Sequence, residues 1–174
     1  MGSQESAHAG DVDSSRPRWR EVLTAIAFVV GVNAVGAAPA LLGGPNSAWF
    51  RALEKPAFYP PGWLFGVVWT ILFTLLGVAC YLVYRRGLER RAVRIALGAF
   101  VVQMAVNVTW TPTFFTLQEP LLALGIVAVL FVLVAATIAA FARVDRLAAV
   151  LLVPYLLWVG FATLLNYMIW SINA

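Results

Sequence analysis

The sequence predicts an all-α integral membrane protein, a bundle of five transmembrane helices. Hydrophobic residues make up 62% of the 174 residues and charged residues only 11%, whereas a soluble globular domain carries about 25% charged residues. Five apolar runs contain no Asp, Glu, Lys, Arg or His, and each is long enough to cross a hydrocarbon core of about 30 Å at about 1.5 Å per residue. The predicted helices cover about residues 22–42, 61–84, 95–117, 120–142 and 147–172.

The N-terminal segment differs in composition from the rest of the chain. Residues 1–18 are rich in Ser, Gly, Asp and Glu and offer little apolar surface to bury, which predicts a disordered polar tail. The five-helix membrane domain is then expected to cover residues 19–174. A signal peptide also combines a basic flank with an apolar run, but the run at 22–42 exceeds the usual apolar core of about 7–15 residues. We therefore expect this run to be a transmembrane helix.

The longest link between predicted helices, residues 43–60, is rich in aromatic residues. A Gly-Gly-Pro sequence at 43–45 ends the first helix, and Asn46 or Ser47 is suited to cap a short helix that follows. Two interpretations are open: the aromatic side chains anchor the loop in the membrane interface, or the loop is a lid over a cavity. The aromatic residues of the link are Trp49, Phe50, Phe58 and Tyr59.

Three of the predicted helices carry aromatic and amide side chains at helical spacing, so that each set lies on one helix face. Converging faces of this kind form an aromatic-walled pocket with a few hydrogen-bonding groups, the usual composition of a small-molecule site. The alternative is that the aromatic residues pack helices together and the amides form interhelical hydrogen bonds. The sets are Phe65, Trp69 and Phe73 on the second helix, Gln103, Asn107, Trp110 and Phe114 on the third, and Pro154, Trp158, Ala162 and Asn166 on the fifth.

Two prolines fall inside predicted helices. A proline has no N–H to donate, so Pro112 frees the carbonyl of Val108 and Pro154 frees that of Val150. In hydrocarbon a freed carbonyl needs a protein partner or a protein-lined cavity. The sequence therefore predicts a kink at each proline.

The absence of Asp, Glu, Lys, Arg and His from the five runs argues against several classes of membrane protein. Ion-coupled carriers, proton pumps and intramembrane hydrolases usually need an ionisable group within the membrane. The sequence holds no nucleophile elbow, zinc-protease motif or phosphate-binding loop, and Cys80 is its single cysteine. We therefore expect no metal site and no required cofactor, and no catalytic residue can be assigned with certainty.

The positive charge lies at the borders of the apolar runs. The net charge is +4, but its position indicates contact with membrane lipid rather than nucleic acid. Ten of the 12 basic residues fall on one side when the runs are threaded alternately, and only Arg51 and Lys55 fall on the other. The positive-inside rule predicts a multi-pass cell-membrane protein with a cytoplasmic N-terminus and an outside C-terminus. The ten are Arg16, Arg18, Arg20, Arg85, Arg86, Arg90, Arg91, Arg94, Arg143 and Arg146.

Three motifs, in order along the chain, resemble the TspO/MBR family, which includes the tryptophan-rich sensory proteins and the mitochondrial translocator protein. The first contains Trp49-Phe50, Leu53, Lys55-Pro56, Pro60-Pro61, Phe65 and Trp69-Thr70. The second contains Asn107, Trp110, Pro112 and Phe114-Phe115. The third contains Pro154-Tyr155, Trp158, Phe161-Ala162-Thr163, Leu165-Asn166-Tyr167 and Trp170.

The resemblance implies a five-helix bundle that binds porphyrins in a pocket beneath the loop between the first two helices. It places Trp69, Asn107, Trp110, Trp158 and Ala162 in the pocket, and Trp49 and Pro61 at the lid and rim. When these residues are combined with the three sets on helix faces, which we call the predicted stripes, the expected ligand-binding residues are Trp49, Pro61, Phe65, Trp69, Gln103, Asn107, Trp110, Phe114, Trp158, Ala162 and Asn166.

Three functions remain open from the sequence. The first is a receptor or carrier for porphyrin-type tetrapyrroles, including heme, that regulates their level or transport. The second is light-dependent breakdown of bound porphyrin, for which Trp69 and Trp158 are the candidate photoredox residues. The third is a non-catalytic regulatory partner of other membrane proteins.

Small-residue pairs such as Ala92/Ala96 allow close helix approach, within the monomer or in a homodimer.

The sequence departs from the sterol-responsive members of the family in one place. Those members carry a basic residue shortly after the tyrosine of the fifth helix, whereas Tyr167 is followed by Met168, Ile169, Trp170 and Ser171. The cholesterol-contact pattern is therefore incomplete. This departure favours a tetrapyrrole over a sterol as the ligand.

Overall fold

The computed structural model describes residues 18–174, so the predicted tail falls almost wholly outside the described residues. Five spans in this range are long and apolar enough to cross a membrane: Arg18–Leu41, Gly62–Tyr84, Arg91–Thr116, Pro120–Ala142 and Arg146–Asn173. They contain helices α1 (Arg18–Ala37), α3 (Gly62–Tyr84), α4 (Arg91–Thr111), α5 (Pro120–Ala142), α6 (Arg146–Leu151) and α7 (Val153–Asn173), while α2 (Ala48–Ala52) lies in the loop after the first span. The predicted fold class is confirmed.

Two helices begin earlier than the apolar runs predict. The first span starts at Arg18 rather than at residue 22, and the third starts at Arg91 rather than at residue 95. Charged side chains end an apolar run without ending a helix, because a helix continues for as long as its backbone hydrogen bonds can form.

The two internal prolines interrupt the helices in different ways. At Pro112, α4 gives way to a π-helical turn over Pro112–Thr116, in which the Leu117 N–H donates to the Pro112 carbonyl at 2.9 Å. Near Pro154 the last span divides between α6 and α7, with Leu152 between them. Both interruptions follow from the missing proline N–H.

The helices pack chiefly as α1 with α3, α4 with α5, and α5 with α7. Side chains such as Leu76, Val134 and Val159 are fully buried where they meet. Gly77 sets the closest approach of α3 to α1, since a Cβ atom there would lie 2.5 Å from the Val29 Cα atom. Most of the outer surface of α1 is exposed and apolar, as a helix facing lipid requires.

The loop over residues 43–60, which we call the lid loop, is ordered around α2. The Phe50 N–H donates to the Ser47 hydroxyl at 3.2 Å, so Ser47 rather than Asn46 caps this helix. The Lys55 ammonium donates to the carbonyls of Phe50, at 2.8 Å, and of Leu53, at 2.9 Å. Lys55 therefore closes the end of α2.

Asn173 fastens the lid loop to the far end of the chain. Its carboxamide oxygen accepts from the Glu54 N–H at 2.9 Å, and its amide nitrogen donates to the Glu54 carbonyl at 2.9 Å and to the Ile169 carbonyl at 2.8 Å. On the other side of the loop, the Thr116 hydroxyl donates to the Leu42 carbonyl at 2.9 Å. The lid loop is thus tied to α7 and to the end of the third span.

At the opposite end of the bundle, Arg86 and Asp145 join the α3 terminus to the turn before α6. The Arg86 Nε and Nη2 atoms donate to one Asp145 oxygen at 3.0 and 2.5 Å, while the other oxygen accepts from the Ala148 N–H at 3.1 Å and caps α6. Hydrogen bonds from the Arg86 guanidinium are the main reason that the pKa of the Asp145 carboxyl lies below its ordinary value of 3.8.

We expect Asn173→Ala to loosen the lid loop without unfolding the bundle. Loss of the paired bonds to Glu54 should raise hydrogen exchange of the Glu54 amide by about tenfold, since each bond contributes about 0.5–1.5 kcal/mol. Hydrogen exchange with mass spectrometry on the detergent-solubilised chain measures this rate. Ser171→Ala is the control, because the Ser171 hydroxyl donates only within α7, to the Met168 carbonyl. Equal exchange in both variants would contradict the assignment.

We expect Asp145→Asn to lower the thermal stability of the protein at pH 7 by removing charge from the pair with Arg86. A carboxyl whose folded-state pKa is lowered stabilises the fold above its ordinary pKa, and this contribution disappears as the pH falls toward the folded-state pKa. The difference in Tm between wild type and variant should therefore be constant above about pH 5 and shrink below about pH 4. Tryptophan-fluorescence melts at both pH values measure it, and a difference that grows in acid would refute the assignment.

Candidate functional site

A cavity of about 440 Å³ lies beneath the lid loop. Residues from the first, second, third and last spans line it, with Val127 and Leu130 of α5 closing one side. Seven of the predicted ligand-binding residues line this cavity: Phe65, Trp69, Asn107, Trp110, Phe114, Trp158 and Ala162. The structure therefore brings the three predicted stripes together around one space.

Phe114 is the centre of an aromatic cluster beneath the lid loop. Its ring stacks on Trp110 with the centroids 5.2 Å apart, and it meets the rings of Trp49 and Phe50 edge-on at 5.9 and 6.0 Å. The Phe50 ring also meets that of Phe115 at 5.1 Å. Aromatic residues from α2 and the third span thus seal the end of the cavity, which supports the interpretation of the loop as a lid.

Two tryptophans on different helices form part of the cavity wall. Trp69 on α3 stacks on Phe73 at 5.1 Å and meets Tyr155 edge-on at 6.2 Å. Trp158 on α7 packs against Phe65, with their ring centroids 5.8 Å apart. The Trp158 Nε1 atom is buried and has no hydrogen-bond partner among residues 18–174, so the described residues leave this indole N–H unsatisfied.

Asn107 has two roles in the structure. Its amide nitrogen donates to the Tyr155 hydroxyl at 2.8 Å, and that hydroxyl donates to the Gln103 carboxamide oxygen at 3.1 Å. The Asn107 side chain also lines the cavity. The interhelical and the ligand-facing interpretations of this residue are therefore compatible.

Four predicted ligand-binding residues do not line the cavity. Gln103 is fully buried behind the Tyr155 hydroxyl. Asn166 accepts from the Trp110 indole N–H at 3.0 Å and donates to the Pro120 carbonyl at 2.9 Å, so it fixes the orientation of a wall residue. Trp49 packs edge-on against Phe114, which does line the cavity. The fourth, Pro61, is exposed at the start of α3.

The predicted stripes included no residue of α1, although α1 contributes to the cavity wall. Asn33 and Gly36 line the cavity, and the Asn33 amide nitrogen donates to the Val29 carbonyl at 2.9 Å and to the Thr74 hydroxyl at 3.2 Å. A Cβ atom at Gly36 would overlap the Phe73 ring. Asn33 is the single amide of the first apolar run, and this was the available signal.

Among the described residues, the cavity wall carries no carboxylate and no cationic side chain. Burial raises the pKa of the Tyr59 phenol at the lid above its ordinary value of 10.0. Lys55 is held by the loop carbonyls, which leaves the exposed Arg51 as the cation of the lid loop. Among the described residues no cluster of His, Cys, Asp or Glu is able to hold a metal ion. The site is suited to holding an apolar, flat molecule by its faces.

Comparison with known proteins identifies the family. Residues 25–171 match the TspO/MBR family model. The chain is 38% identical over 156 residues to tryptophan-rich protein TspO of Chlorobaculum tepidum, covering 88% of this chain and 98% of that one. It is 37% identical over 155 residues to a tryptophan-rich sensory protein of Cereibacter sphaeroides, covering 89% and 92%.

A human relative is equally similar. The chain is 39% identical over 132 residues to the human translocator protein, covering 75% of this chain and 78% of that one. The match to the family model includes the spans that enclose the cavity, because it begins within the first span and ends within the last. The chain is therefore a multi-pass membrane protein that belongs to the TspO/MBR family.

Proposed function

We propose that this protein is a membrane receptor or carrier that binds porphyrin-type tetrapyrroles in the cavity beneath the lid loop, and so regulates their level or transport. The observation that carries the proposal is a wall rich in indole and phenyl rings that holds no carboxylate and no cationic side chain among residues 18–174. The names of its relatives, a sensory protein and a translocator protein, support a receptor or regulatory role.

The size and the aromatic lining of the cavity support a large flat ligand. Its volume of about 440 Å³ falls within the range of about 300–1,000 Å³ that ligand pockets occupy. Trp69 and Trp158 offer aromatic surface on different helices, and offset stacking of aromatic rings contributes about 0.5–1.5 kcal/mol per pair beyond area burial. A macrocycle lying between these walls would replace water on both of its faces.

Polar recognition would come from few groups. The Trp158 indole N–H has no partner among residues 18–174 and would donate to a ligand acceptor if the ring turned toward the cavity. Asn107 lines the cavity. A ligand carboxylate at the mouth would meet Arg51, although an exposed ion pair contributes only about 0–1 kcal/mol. The affinity is therefore expected to depend mainly on apolar contact.

We expect Asn107→Leu to weaken protoporphyrin binding more than Tyr155→Phe does. Both variants remove the interhelical hydrogen bond between these residues, but only Asn107 lines the cavity. The difference in affinity should reach about threefold to tenfold, the value of one hydrogen bond of about 0.5–1.5 kcal/mol.

Titration of the purified protein with protoporphyrin in the dark, by absorbance and tryptophan quenching, measures this difference. Thermal melts of the same variants separate binding from stability. If both variants lose stability and neither loses affinity, the amide serves only to join helices. If wild type binds no tetrapyrrole, the proposal fails and a regulatory partner of other membrane proteins becomes the better description.

The two cavity tryptophans favour one second candidate, a light-dependent porphyrin-degrading enzyme. Photochemistry of this kind would start from the excited ligand and needs an oxidisable neighbour rather than an acid or a base. The indoles of Trp69 and Trp158 both line the cavity.

If turnover occurs, we expect the double variant Trp69→Phe, Trp158→Phe to stop degrading porphyrin in the light. It should keep most of its ability to bind porphyrin in the dark. Phenylalanine retains an apolar ring and costs less than a truncation to alanine, but it lacks the indole N–H. Trp63→Phe is the matched control, because Trp63 is 69% exposed on the outer face of α3. Equal photochemical rates in all three proteins would show that the tryptophans only shape the cavity.

We further propose a cell-membrane orientation with the N-terminus in the cytoplasm and the lid loop outside. The argument is the distribution of the basic residues between the two borders of the spans. A membrane-impermeant thiol reagent added to intact cells should then label Asn46→Cys and fail to label Arg90→Cys. Both positions are exposed, and the native Cys80 is buried. Labelling of position 90 alone would reverse the orientation.

A further inference from the structure

A second cavity, of about 590 Å³, lies at the end of the bundle opposite to the lid loop. It is formed where α1 begins and α3 ends, together with the turn that follows α3. Its lining residues are Arg20, Glu21, Thr24, Tyr81, Tyr84, Arg85, Gly87, Leu88 and Glu89. None of these residues belongs to the site described above.

The charged side chains around this cavity are balanced in sign and are available to bind a ligand. Among the described residues, two arginines and two glutamates line it, which gives these side chains a formal charge of zero. Within residues 18–174 the salt bridge joins Arg86 to Asp145, neither of which lines this cavity. The side chains of Arg20, Glu21, Arg85 and Glu89 are exposed at its rim.

Two tyrosines are held at the inner wall. Phe28 on α1 packs against the rings of Tyr84 and Tyr81, with centroids 5.1 and 6.4 Å apart. These tyrosines lie one and two turns beyond Gly77, on the face of α3 that approaches α1 most closely. Among the described residues, tyrosine side-chain hydrogen bonds are those of Tyr155, so neither of these phenol hydroxyls is bonded to another described residue. The wall therefore adds aromatic faces and hydroxyl groups to the charged rim.

The depth of the cavity selects a lipid headgroup as its occupant. The first and second membrane spans reach Arg18 and Tyr84 at this end, so the cavity lies at the border between hydrocarbon and water, where phospholipid headgroups reside. Trp19, which is 59% exposed beside it, is typical of that interface.

The balance of charge selects the class of headgroup. An anionic lipid would be attracted by the arginines but repelled by the glutamates, whereas a zwitterion satisfies both. Arginine binds phosphate through paired N–H donors, and an ammonium group is bound by carboxylates and by aromatic faces. A primary ammonium also donates hydrogen bonds to carboxylates and phenol oxygens, which a quaternary ammonium lacks the N–H groups to do.

We propose that this cavity binds the headgroup of a zwitterionic phospholipid of the phosphoethanolamine type. Arg20 and Arg85 hold the phosphodiester, and Glu21 and Glu89 hold the ammonium beside the ring of Tyr84. The bound lipid would join the start of α1 to the end of α3, at the end of the bundle away from the lid loop.

Native mass spectrometry of the delipidated full chain tests the proposal, with phosphatidylethanolamine, phosphatidylcholine and phosphatidylglycerol of identical acyl chains as probes. We expect phosphatidylethanolamine to bind most tightly. Arg85→Gln should weaken its binding by about threefold to fivefold, the upper range for one exposed charge pair. Arg91→Gln, an exposed arginine outside the cavity, should leave binding unchanged. Circular dichroism establishes that each variant is folded.

The double variant Glu21→Gln, Glu89→Gln supplies an independent arm. It should abolish the preference for phosphatidylethanolamine over phosphatidylglycerol, because the repulsion of the anionic lipid and the attraction of the ammonium disappear together. Wild-type protein that binds phosphatidylglycerol as tightly as phosphatidylethanolamine would overturn the proposal, as would equal losses in Arg85→Gln and Arg91→Gln. Binding of soluble glycerophosphoethanolamine without binding of the lipid would overturn the assignment to a membrane lipid.

Discussion

The interhelical hydrogen bonds between the third and last spans fix the wall of the cavity. No water is available inside a membrane, so polar side chains there must find protein partners. Asn107 pairs with Tyr155, and the Trp110 indole pairs with Asn166. These bonds set the rotation of α4 against α7, and with it the direction in which the aromatic rings point. The position of Trp110 determines that of Phe114, and Phe114 receives the lid loop.

The lid loop and the cavity depend on each other. Phe50 is 4% exposed only because the cluster around Phe114 covers it, and the bonds of Asn173 hold the neighbouring backbone of Glu54. A ligand entering from the lid side must separate these contacts, which cost a few kcal/mol if broken together. Closure of the lid is therefore expected to slow both entry and release of a ligand.

Helical periodicity predicted the spans and several residues of the cavity wall, but it could not predict which side chains pair with one another. Apolar length defined five spans, and spacing by four placed Trp69, Asn107 and Trp158 on faces that do converge. Spacing gives a face but not the neighbour that covers it, so Gln103 and Asn166 were assigned to the ligand although the Gln103 carboxamide oxygen accepts from Tyr155 and the Asn166 carboxamide oxygen accepts from Trp110. The bonds between Glu54 and Asn173 join residues 119 positions apart, a separation on which local pattern carries no information.

The central claim is that the space enclosed by these rings holds the ligand, and filling that space tests it most directly. Ala162 lines the cavity on α7, so Ala162→Phe places a ring inside it, whereas Ala105→Phe places the same ring on the exposed face of α4. The dissociation constant for protoporphyrin in the dark should rise by at least about tenfold in Ala162→Phe, through steric exclusion and lost contact, and stay unchanged in Ala105→Phe. Unchanged affinity in a folded Ala162→Phe protein would contradict the account.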